Sequence, residues 1–258
     1  MKLDIIYNED CLTGMKKYLP NESIDLTVTS PPYDNLRDYK GYEFNFEGIA
    51  QELYRVTKQG GVVVWVVGDA TINGSETGTS FRQALYFKEI GFNLHDTMIY
   101  KKINYIPLTH NRYEQEFEFM FVASRGKPKT FNPIKIPTKL GGKTYNPKRP
   151  RDYDKHSIRH NRDELLTYKM ERVKGNIFEY IAGAGNERTN HPATFPKALA
   201  RDHIISWSNE GDVVLDPMCG SGTTLKMAQK LSRHYIGFEI SKEYCEIAEK
   251  RLAQGTLF

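Results

Sequence analysis

Ser30-Pro31-Pro32-Tyr33 is the stretch of this sequence whose residue types and order point most directly to chemistry. The two prolines have a fixed φ angle and no N–H donor, so they present carbonyl oxygens from a stiff backbone. Ser30 adds a hydroxyl group and Tyr33 adds a flat aromatic face. Such a loop can hold a planar ring that bears an amino group, whereas a Pro-Pro pair on its own can also be a simple stop signal.

The element that must position this loop is the run immediately before it, residues 24–29. Its Ile, Leu, Val and Thr residues are typical of a buried strand that ends abruptly at the prolines. The loop would then lie at the carboxyl edge of a sheet, which is where open α/β sheets bind their ligands.

A second candidate site begins at the strand-like run Val213–Asp216, which leads through Gly220 and Gly222 into a helix. The next predicted strand ends at Glu239, where a carboxylate can accept hydrogen bonds from two ribose hydroxyls. The spacing is G-x-G-x-T, which differs from the dinucleotide fingerprint and from the P-loop. The combination favours a nucleoside ligand, with a purely structural turn as the alternative.

The remaining pattern alternates predicted strands with predicted helices, which indicates parallel βαβ units. The apolar run 62–68 is the clearest strand, because it is apolar on both faces as in the middle of a covered sheet. Asp10 follows the first predicted strand, where it can accept a hydrogen bond from an adenine amino group or cap the next helix. The predicted helices include 46–57, 80–90 and 241–252, together with helices that end at Leu19, at Trp207 and, after Thr224, at Leu231. Further strands span 96–100 and 117–122.

The composition is that of a soluble globular protein, with 258 residues, 39% hydrophobic and 26% charged. We find neither a stretch long and apolar enough to span a bilayer nor a signal-peptide pattern, so the prediction is a cytoplasmic protein without a membrane partner. Cys11, Cys219 and Cys245 are odd in number and lack CxxC spacing. They predict reduced thiols, with no disulfide framework and no metal site.

Positive charge is concentrated in one part of the chain. Residues 125–174 contain fifteen Lys or Arg and five Asp or Glu, a net charge of +10, whereas the rest of the chain has 21 and 27, a net charge of −6. This segment also mixes prolines, glycines and tyrosines without clear periodicity. It favours a nucleic-acid contact over a solvated loop, because Lys and Arg neutralise phosphates and Arg, Lys, His and Asn can read base edges.

Taken together, these motifs resemble those of the amino-methylating DNA methyltransferases that use S-adenosylmethionine. Ser30-Pro31-Pro32-Tyr33 is similar to their catalytic motif, and the segment Asp216 to Gly222 is similar to their cofactor motif. Met218 stands where most members have Phe, which exchanges one apolar contact for another. The catalytic motif precedes the basic segment and the cofactor motif comes last, which is the order of the β group.

The resemblance implies a Rossmann-like α/β class I methyltransferase fold that is circularly permuted, with a mostly parallel seven-stranded sheet. It divides the chain into a catalytic part (1–124), a basic target-recognition insertion (125–188) and a cofactor-binding part of the same domain (189–258).

The resemblance also implies roles for individual residues. Asp10 would lie near the cofactor adenine, Glu239 on its ribose, and Asp216 with Gly220 around its methionine portion. The implied catalytic residues are Ser30, Pro31, Pro32 and Tyr33. The implied cofactor-binding residues are Asp10, Cys11, His191, Phe195, Asp216, Pro217, Met218, Gly220, Ser221, Gly222, Thr223 and Glu239. The candidate DNA-binding residues are Arg37, Lys143, Lys148, Arg149, Arg151, Arg159 and Arg162.

The implied reaction is methyl transfer to the exocyclic amino group of a base flipped out of double-stranded DNA. Ser rather than Asp at position 30 favours cytosine N4, with adenine N6 as the alternative. This reaction needs no covalent enzyme intermediate, so Cys219 is expected to be structural or to line the cofactor site. The family is encoded by bacteria, archaea or phages, and the sequence leaves open a homodimer and a cognate restriction endonuclease.

Two hypotheses from other classes compete with this interpretation. A nicotinamide-dependent oxidoreductase could use the same crevice, but it leaves Ser30 to Tyr33 and the basic segment unexplained. A non-catalytic DNA-binding module would need only the basic segment. Binding of S-adenosylhomocysteine would count heavily against that module.

Overall fold

The computed structural model describes residues 1–32, 44–105, 111–145, 165–181 and 196–254. The chain divides into two compact units. The larger comprises Met1–Asn132 with Asn176–Phe258, and the smaller comprises Pro133–Gly175.

The described residues form six helices and fourteen strands. The helices are α1 (Cys11–Tyr18), α2 (Phe46–Val56), α3 (Thr79–Glu89), α4 (Lys197–Trp207), α5 (Thr223–Lys230) and α6 (Lys242–Ala253). The strands of the larger unit are β1 (Ile5–Tyr7), β2 (Ile24–Thr29), β3 (Thr57–Val67), β4 (Thr71–Ile72), β5 (Ser75–Glu76), β6 (Asn93–Lys102), β7 (Phe117–Ser124), β12 (Ile177–Tyr180), β13 (Val213–Asp216) and β14 (His234–Phe238). Those of the smaller unit are β8 (Lys135–Pro137), β9 (Thr144–Tyr145), β10 (Leu166–Thr167) and β11 (Glu171–Val173).

The larger unit is built on an eight-stranded sheet in the order β1-β14-β13-β2-β3-β7-β6-β12. Strand β7 is antiparallel to β3 and β6, and the other neighbouring pairs are parallel. The predicted count of seven strands was wrong, because β12 pairs in parallel with β6 at the edge. Its sequence lies inside the predicted insertion, where the basic and turn-forming residues on either side hide a four-residue strand.

The core of the sheet explains why its central strands form. Val62 to Val67 of β3 are buried on both faces of the sheet, which is the pattern of a covered strand. Trp65 belongs to an apolar cluster of buried side chains that also includes Phe87 and Phe238. Its indole N–H donates a hydrogen bond to the Oε1 atom of Gln83 on α3 at 2.8 Å. The buried polar atom is thereby satisfied, so α3 is held against the sheet without an unpaired donor.

The first and last parts of the chain meet in the sheet. Strands β13 and β14 come late in the chain but lie between β1 and β2. Because β1, β14, β13 and β2 are mutually parallel, their carboxyl ends share one edge. The late position of the strand that carries the glycine turn agrees with the predicted permutation.

The smaller unit contains two short antiparallel ladders, β8 with β11 and β9 with β10. The rings of Tyr145 and Tyr168 stack with their centroids 4.2 Å apart. Lys143 lies just before β9 and is exposed. The described part of the predicted insertion is thus divided between the two units. The smaller unit ends at Gly175, and β12, which follows it, belongs to the eight-stranded sheet of the larger unit.

None of the helices in the described parts of the chain is long and apolar enough to cross a membrane.

Candidate active site

Four predicted site residues lie at the carboxyl ends of four adjacent parallel strands. Ser30 follows β2, Asp216 is the last residue of β13, Glu239 follows β14, and Asp10 lies three residues after β1. The sheet order β1-β14-β13-β2 therefore brings together side chains that are far apart in the sequence. This edge is where parallel α/β sheets place their ligands.

Glu239 is held by backbone donors on both sides. Its Oε2 atom accepts a hydrogen bond from the Gly220 N–H at 2.9 Å, and its Oε1 atom accepts one from the Ser241 N–H at 2.8 Å. Burial raises the pKa of this carboxyl, whereas the backbone hydrogen bonds lower it. A carboxylate has about four acceptor positions, so each oxygen keeps the capacity to accept a ligand hydroxyl.

Asp216 is buried beneath the same edge. Its Oδ1 atom accepts hydrogen bonds from the hydroxyl of Thr29 at 2.8 Å and from the N–H of Met218 at 3.2 Å. Burial raises the pKa of Asp216 to about 6, and the hydrogen bonds from Thr29 and Met218 oppose that rise. The carboxylate can therefore act as a fixed negative charge at neutral pH, but it loses that charge in mild acid.

The glycine turn between β13 and α5 has left-handed backbone at Gly220, with φ +48°, and at Gly222, with φ +75°. A Cβ atom at Gly222 would lie 2.9 Å from the Cβ of Ala248 on α6. Close approach of a helix is therefore sufficient by itself to require glycine at this position. Gly222 lets α6 pack against the start of α5.

Helix α6 also engages two predicted cofactor-binding residues. The guanidinium of Arg251 donates to the backbone carbonyl of Ser221, to its hydroxyl at 3.0 Å, and to the hydroxyl of Thr223 at 3.5 Å. Ser221 and Thr223 are buried. These hydroxyls thus take part in holding the glycine turn on α6.

Asp10 and Cys11 begin α1. The Oδ1 atom of Asp10 accepts a hydrogen bond from the Thr13 N–H at 2.9 Å, so this side chain caps the helix. Cys11 is buried, and burial raises the pKa of its thiol to about 12. Its surroundings are those of a packed core residue rather than a reactive thiolate.

The thiol of Cys219 is also buried, and burial raises its pKa well above the ordinary range. The backbone N–H of Cys219 donates to the Phe238 carbonyl at 2.9 Å. Pro217 is buried, and Met218 packs partly buried against the apolar cluster. Pro31 is buried and Pro32 half-buried directly after Ser30.

The sequence matches the model of a known protein family. The N6_N4_Mtase family model, described as DNA methylase, matches residues 24–250. The chain belongs to this DNA methylase family. The matched interval contains both Ser30 and Glu239, so the two candidate motifs fall inside the family's own region.

Relatives of this DNA methylase cover nearly its whole length. The chain is 57% identical over 248 residues to the orphan methyltransferase M.BamHII of Bacillus amyloliquefaciens, a match that covers 92% of each protein. It is also similar to the type II methyltransferase M.BglII of Bacillus subtilis, with 27% identity across 97% of this chain and 69% of the relative.

Solved structures confirm the predicted fold class. A putative DNA modification methylase from Thermus thermophilus, complexed with S-adenosyl-L-methionine, superposes with a TM-score of 0.65 and 25% identity, covering 96% of this chain and 93% of that one. The cytosine-N4-specific PvuII DNA methyltransferase has a TM-score of 0.71 at 20% identity, over 100% of this chain and 89% of that one, which is a likeness of fold. The methylase therefore has the class I α/β fold of enzymes whose cofactor is S-adenosylmethionine.

The family membership confirms the coarse functional prediction, a DNA amino-methyltransferase, over the oxidoreductase and the non-catalytic module. The roles of individual residues remain predictions. Nine of the predicted site residues lie outside the described residues, namely Tyr33, Arg37, Lys148, Arg149, Arg151, Arg159, Arg162, His191 and Phe195.

Sequence reasoning missed three residues that hold the site of this methylase together. Thr29 binds Asp216, Thr224 donates to the Val28 carbonyl at 3.1 Å, and Arg251 binds the glycine turn. Threonine in a strand and arginine in a helix are too common to signal such contacts. The only available signal was position, since Thr29 directly precedes Ser30 and Thr224 directly follows the turn.

Proposed function

We propose that this DNA methylase transfers a methyl group from S-adenosylmethionine to the exocyclic amino group of a base flipped out of double-stranded DNA, with cytosine N4 as the favoured target. The observation that carries the proposal is the contact of Thr29 with Asp216. It joins the strand that ends at Ser30 to the strand that begins the glycine turn. The predicted base site and the predicted cofactor site are therefore neighbours on one edge.

The residues at this edge fit the cofactor by their chemistry. Glu239 would accept hydrogen bonds from the ribose hydroxyls, using acceptor positions that its backbone donors leave available. Asp216 would supply negative charge toward the ammonium group of the methionine portion, and the left-handed turn at Gly220 would let the backbone approach the ligand. Asp10 would lie near the adenine.

The bound cofactor supplies the methyl group. The base nitrogen uses its lone pair to form the new N–C bond, and the electrons of the broken C–S bond stay on sulfur to give S-adenosylhomocysteine. The nitrogen then releases one proton. The hydroxyl of Ser30 and the carbonyl of Pro31 would accept the amino hydrogens. This arrangement orients the nitrogen lone pair and stabilises the positive charge that develops on the amino group. Tyr33 would stack on the flipped base.

The preference for cytosine N4 depends on Ser30. A neutral hydroxyl at this position differs from the carboxylate that Asp would provide, and both sets of acceptors can hold an amino group. Adenine N6 is therefore the alternative target. The thiol of Cys219 is buried, so it is not suited to form a covalent bond to the base.

Contacts to DNA outside the flipped base are assigned to the basic segment and to Arg37. Lys143 is an exposed cation in the described part of the smaller unit, and several further Lys and Arg residues flank it in the sequence. Such residues would neutralise phosphates and position the duplex.

The test is mass spectrometry of nucleosides from methylation-free DNA incubated with the purified protein and S-adenosylmethionine. We expect N4-methylcytosine in the wild type and in Ser75→Ala, a control at an exposed serine of β5, and a loss of about a hundredfold in Ser30→Ala. N6-methyladenine would overturn the choice of base. A methylated product formed equally well by Ser30→Ala would overturn the role of Ser30.

A further inference from the structure

A buried polar cluster lies at the end of β2, where Ser30 is the next residue in the chain. It consists of Asp216, which is 1% exposed, and the side chains of Thr29 and Thr224, which are both 0% exposed. The Thr29 hydroxyl donates to Asp216 Oδ1 at 2.8 Å, and the Thr224 hydroxyl donates to the backbone carbonyl of Val28 at 3.1 Å. The hydrogen bond from Thr29 also favours the ionised form of Asp216, because it lowers the pKa that burial has raised.

The cluster connects the two halves of the site at the point where the backbone ladder stops connecting them. Strands β13 and β2 are paired at Val214 with Leu26 and at Leu215 with Thr27. Beyond these pairs, the bond from Thr29 to Asp216 joins the strand ends, and the bond from Thr224 joins α5 to β2. A side-chain link thus continues the sheet up to Ser30.

This link would have a functional consequence because it joins Asp216, which is proposed to hold the cofactor, to the residue before Ser30, which is proposed to hold the base. A displacement of Asp216 would move the Thr29 hydroxyl, and Ser30 is the next residue in the chain. Methyl transfer requires the donor and the acceptor to be closely aligned, and small displacements have large effects on rate.

We propose that Thr29 is a positioning residue that ties the position of Asp216 to that of Ser30, with Thr224 bracing the same strand end. The proposal rests on the proposed function and extends it. Thr29 would contact neither the cofactor nor the base, and it would act through the residues on either side of it.

The chain contains a matched control for this proposal. Thr27 lies two residues earlier on β2 and is also 0% exposed, but its hydroxyl has no hydrogen-bond partner among the described residues. Replacing threonine by valine at either position keeps the branched shape and removes only the hydroxyl. The comparison of Thr29→Val with Thr27→Val therefore separates the link to Asp216 from a general change in the core.

Two measurements test the proposal, and the first does not depend on catalysis. The affinity for S-adenosylhomocysteine is measured by calorimetry between about pH 5 and pH 8, where the charge of Asp216 changes. We expect the pH at which half of the affinity is lost in acid to rise by about one unit in Thr29→Val. The same midpoint should be unchanged in Thr27→Val and should return to the wild-type value in Thr29→Ser. Glu239, Cys11 and Cys219 are the other titratable groups coupled to Asp216, and the Thr29 exchange leaves all three in place.

The second measurement is the rate of methyl transfer at saturating S-adenosylmethionine. We expect kcat to fall about tenfold in Thr29→Val and to recover in Thr29→Ser, with Thr27→Val near the wild type. Unchanged midpoints in Thr29→Val, or equal changes in Thr27→Val, would overturn the proposal. If the wild type binds S-adenosylhomocysteine but methylates no DNA, the proposed function fails, and the calorimetric midpoints still decide the link between Thr29 and Asp216.

Discussion

The backbone N–H of Gly220 donates a hydrogen bond to the Oε2 atom of Glu239 at 2.9 Å. A residue of the glycine turn is thereby tied to the carboxylate at the end of the neighbouring strand. The shape of the turn and the orientation of Glu239 are thus set together.

The first prediction concerns that tie. We expect Glu239→Gln to weaken S-adenosylhomocysteine binding at least tenfold, about 1.4 kcal/mol, because the exchange removes a charge and turns an amide toward a backbone donor. Calorimetry measures the effect. Glu243→Gln, at an exposed position in the first turn of α6, is the control and should bind normally. Equal affinity in the two variants would contradict the role of Glu239.

The second prediction concerns Gly222. We expect Gly222→Ala to lower the free energy of unfolding by about 3 kcal/mol, since the new Cβ would have both a left-handed φ and a contact with Ala248. Gly211 has φ +81° and no atom near the place of a Cβ, so Gly211→Ala should lose only about 1 kcal/mol. Urea unfolding measures both variants. If both lose the same amount, the contact with Ala248 carries no cost.

The third prediction concerns the charge of Asp216. Its pKa rises by burial from an ordinary value of 3.8 to about 6, so the folded protein binds a proton more tightly than the unfolded chain does. The protonation of Asp216 therefore stabilises the folded protein, fully below about pH 4, and this stabilisation is lost as the pH rises through about 6. We expect the free energy of unfolding of Asp216→Asn, relative to that of the wild type, to increase by about 2 kcal/mol as the pH rises from about 4 to about 7. Urea unfolding at several pH values measures the difference, and a constant difference would contradict the prediction.

The fourth prediction concerns Lys143. We expect Lys143→Ala to reduce the slope of log affinity against log salt concentration by about 1, as for the loss of one phosphate contact. Fluorescence anisotropy with duplex DNA at several salt concentrations measures the slope. Lys88→Ala, at an exposed position on α3, should leave the slope unchanged. An unchanged slope in Lys143→Ala would remove this residue from the DNA contacts.

The sequence was most informative where a local pattern coincided with a tertiary constraint. The strand before Ser30 and the strand-turn-helix around Gly220 could be predicted, because apolar runs and glycine turns have strong local signatures. The helix that was expected over 46–57 forms as Phe46–Val56. These elements also determine which residues lie at the carboxyl edge of the sheet.

Other features depend on partners that are distant in the chain. Strand β3 begins at Thr57, ahead of the apolar run, because Gly60 and Gly61 exchange backbone hydrogen bonds with Arg125. Tertiary pairing here overrides the glycines that favour a loop. The Thr29 and Arg251 contacts belong to the same class, since Asp216 lies 187 residues from Thr29 and Ser221 lies 30 residues from Arg251.

The position of β13 and β14 between β1 and β2 has a consequence for how the protein is made. During synthesis, β1 and β2 leave the ribosome early, and the two strands that separate them in the sheet emerge much later. Until then, each early strand has an open edge that could pair with the wrong segment. Completion of this half of the sheet must therefore wait for the late strands, so nascent chains that stop short of β13 cannot assemble the candidate site.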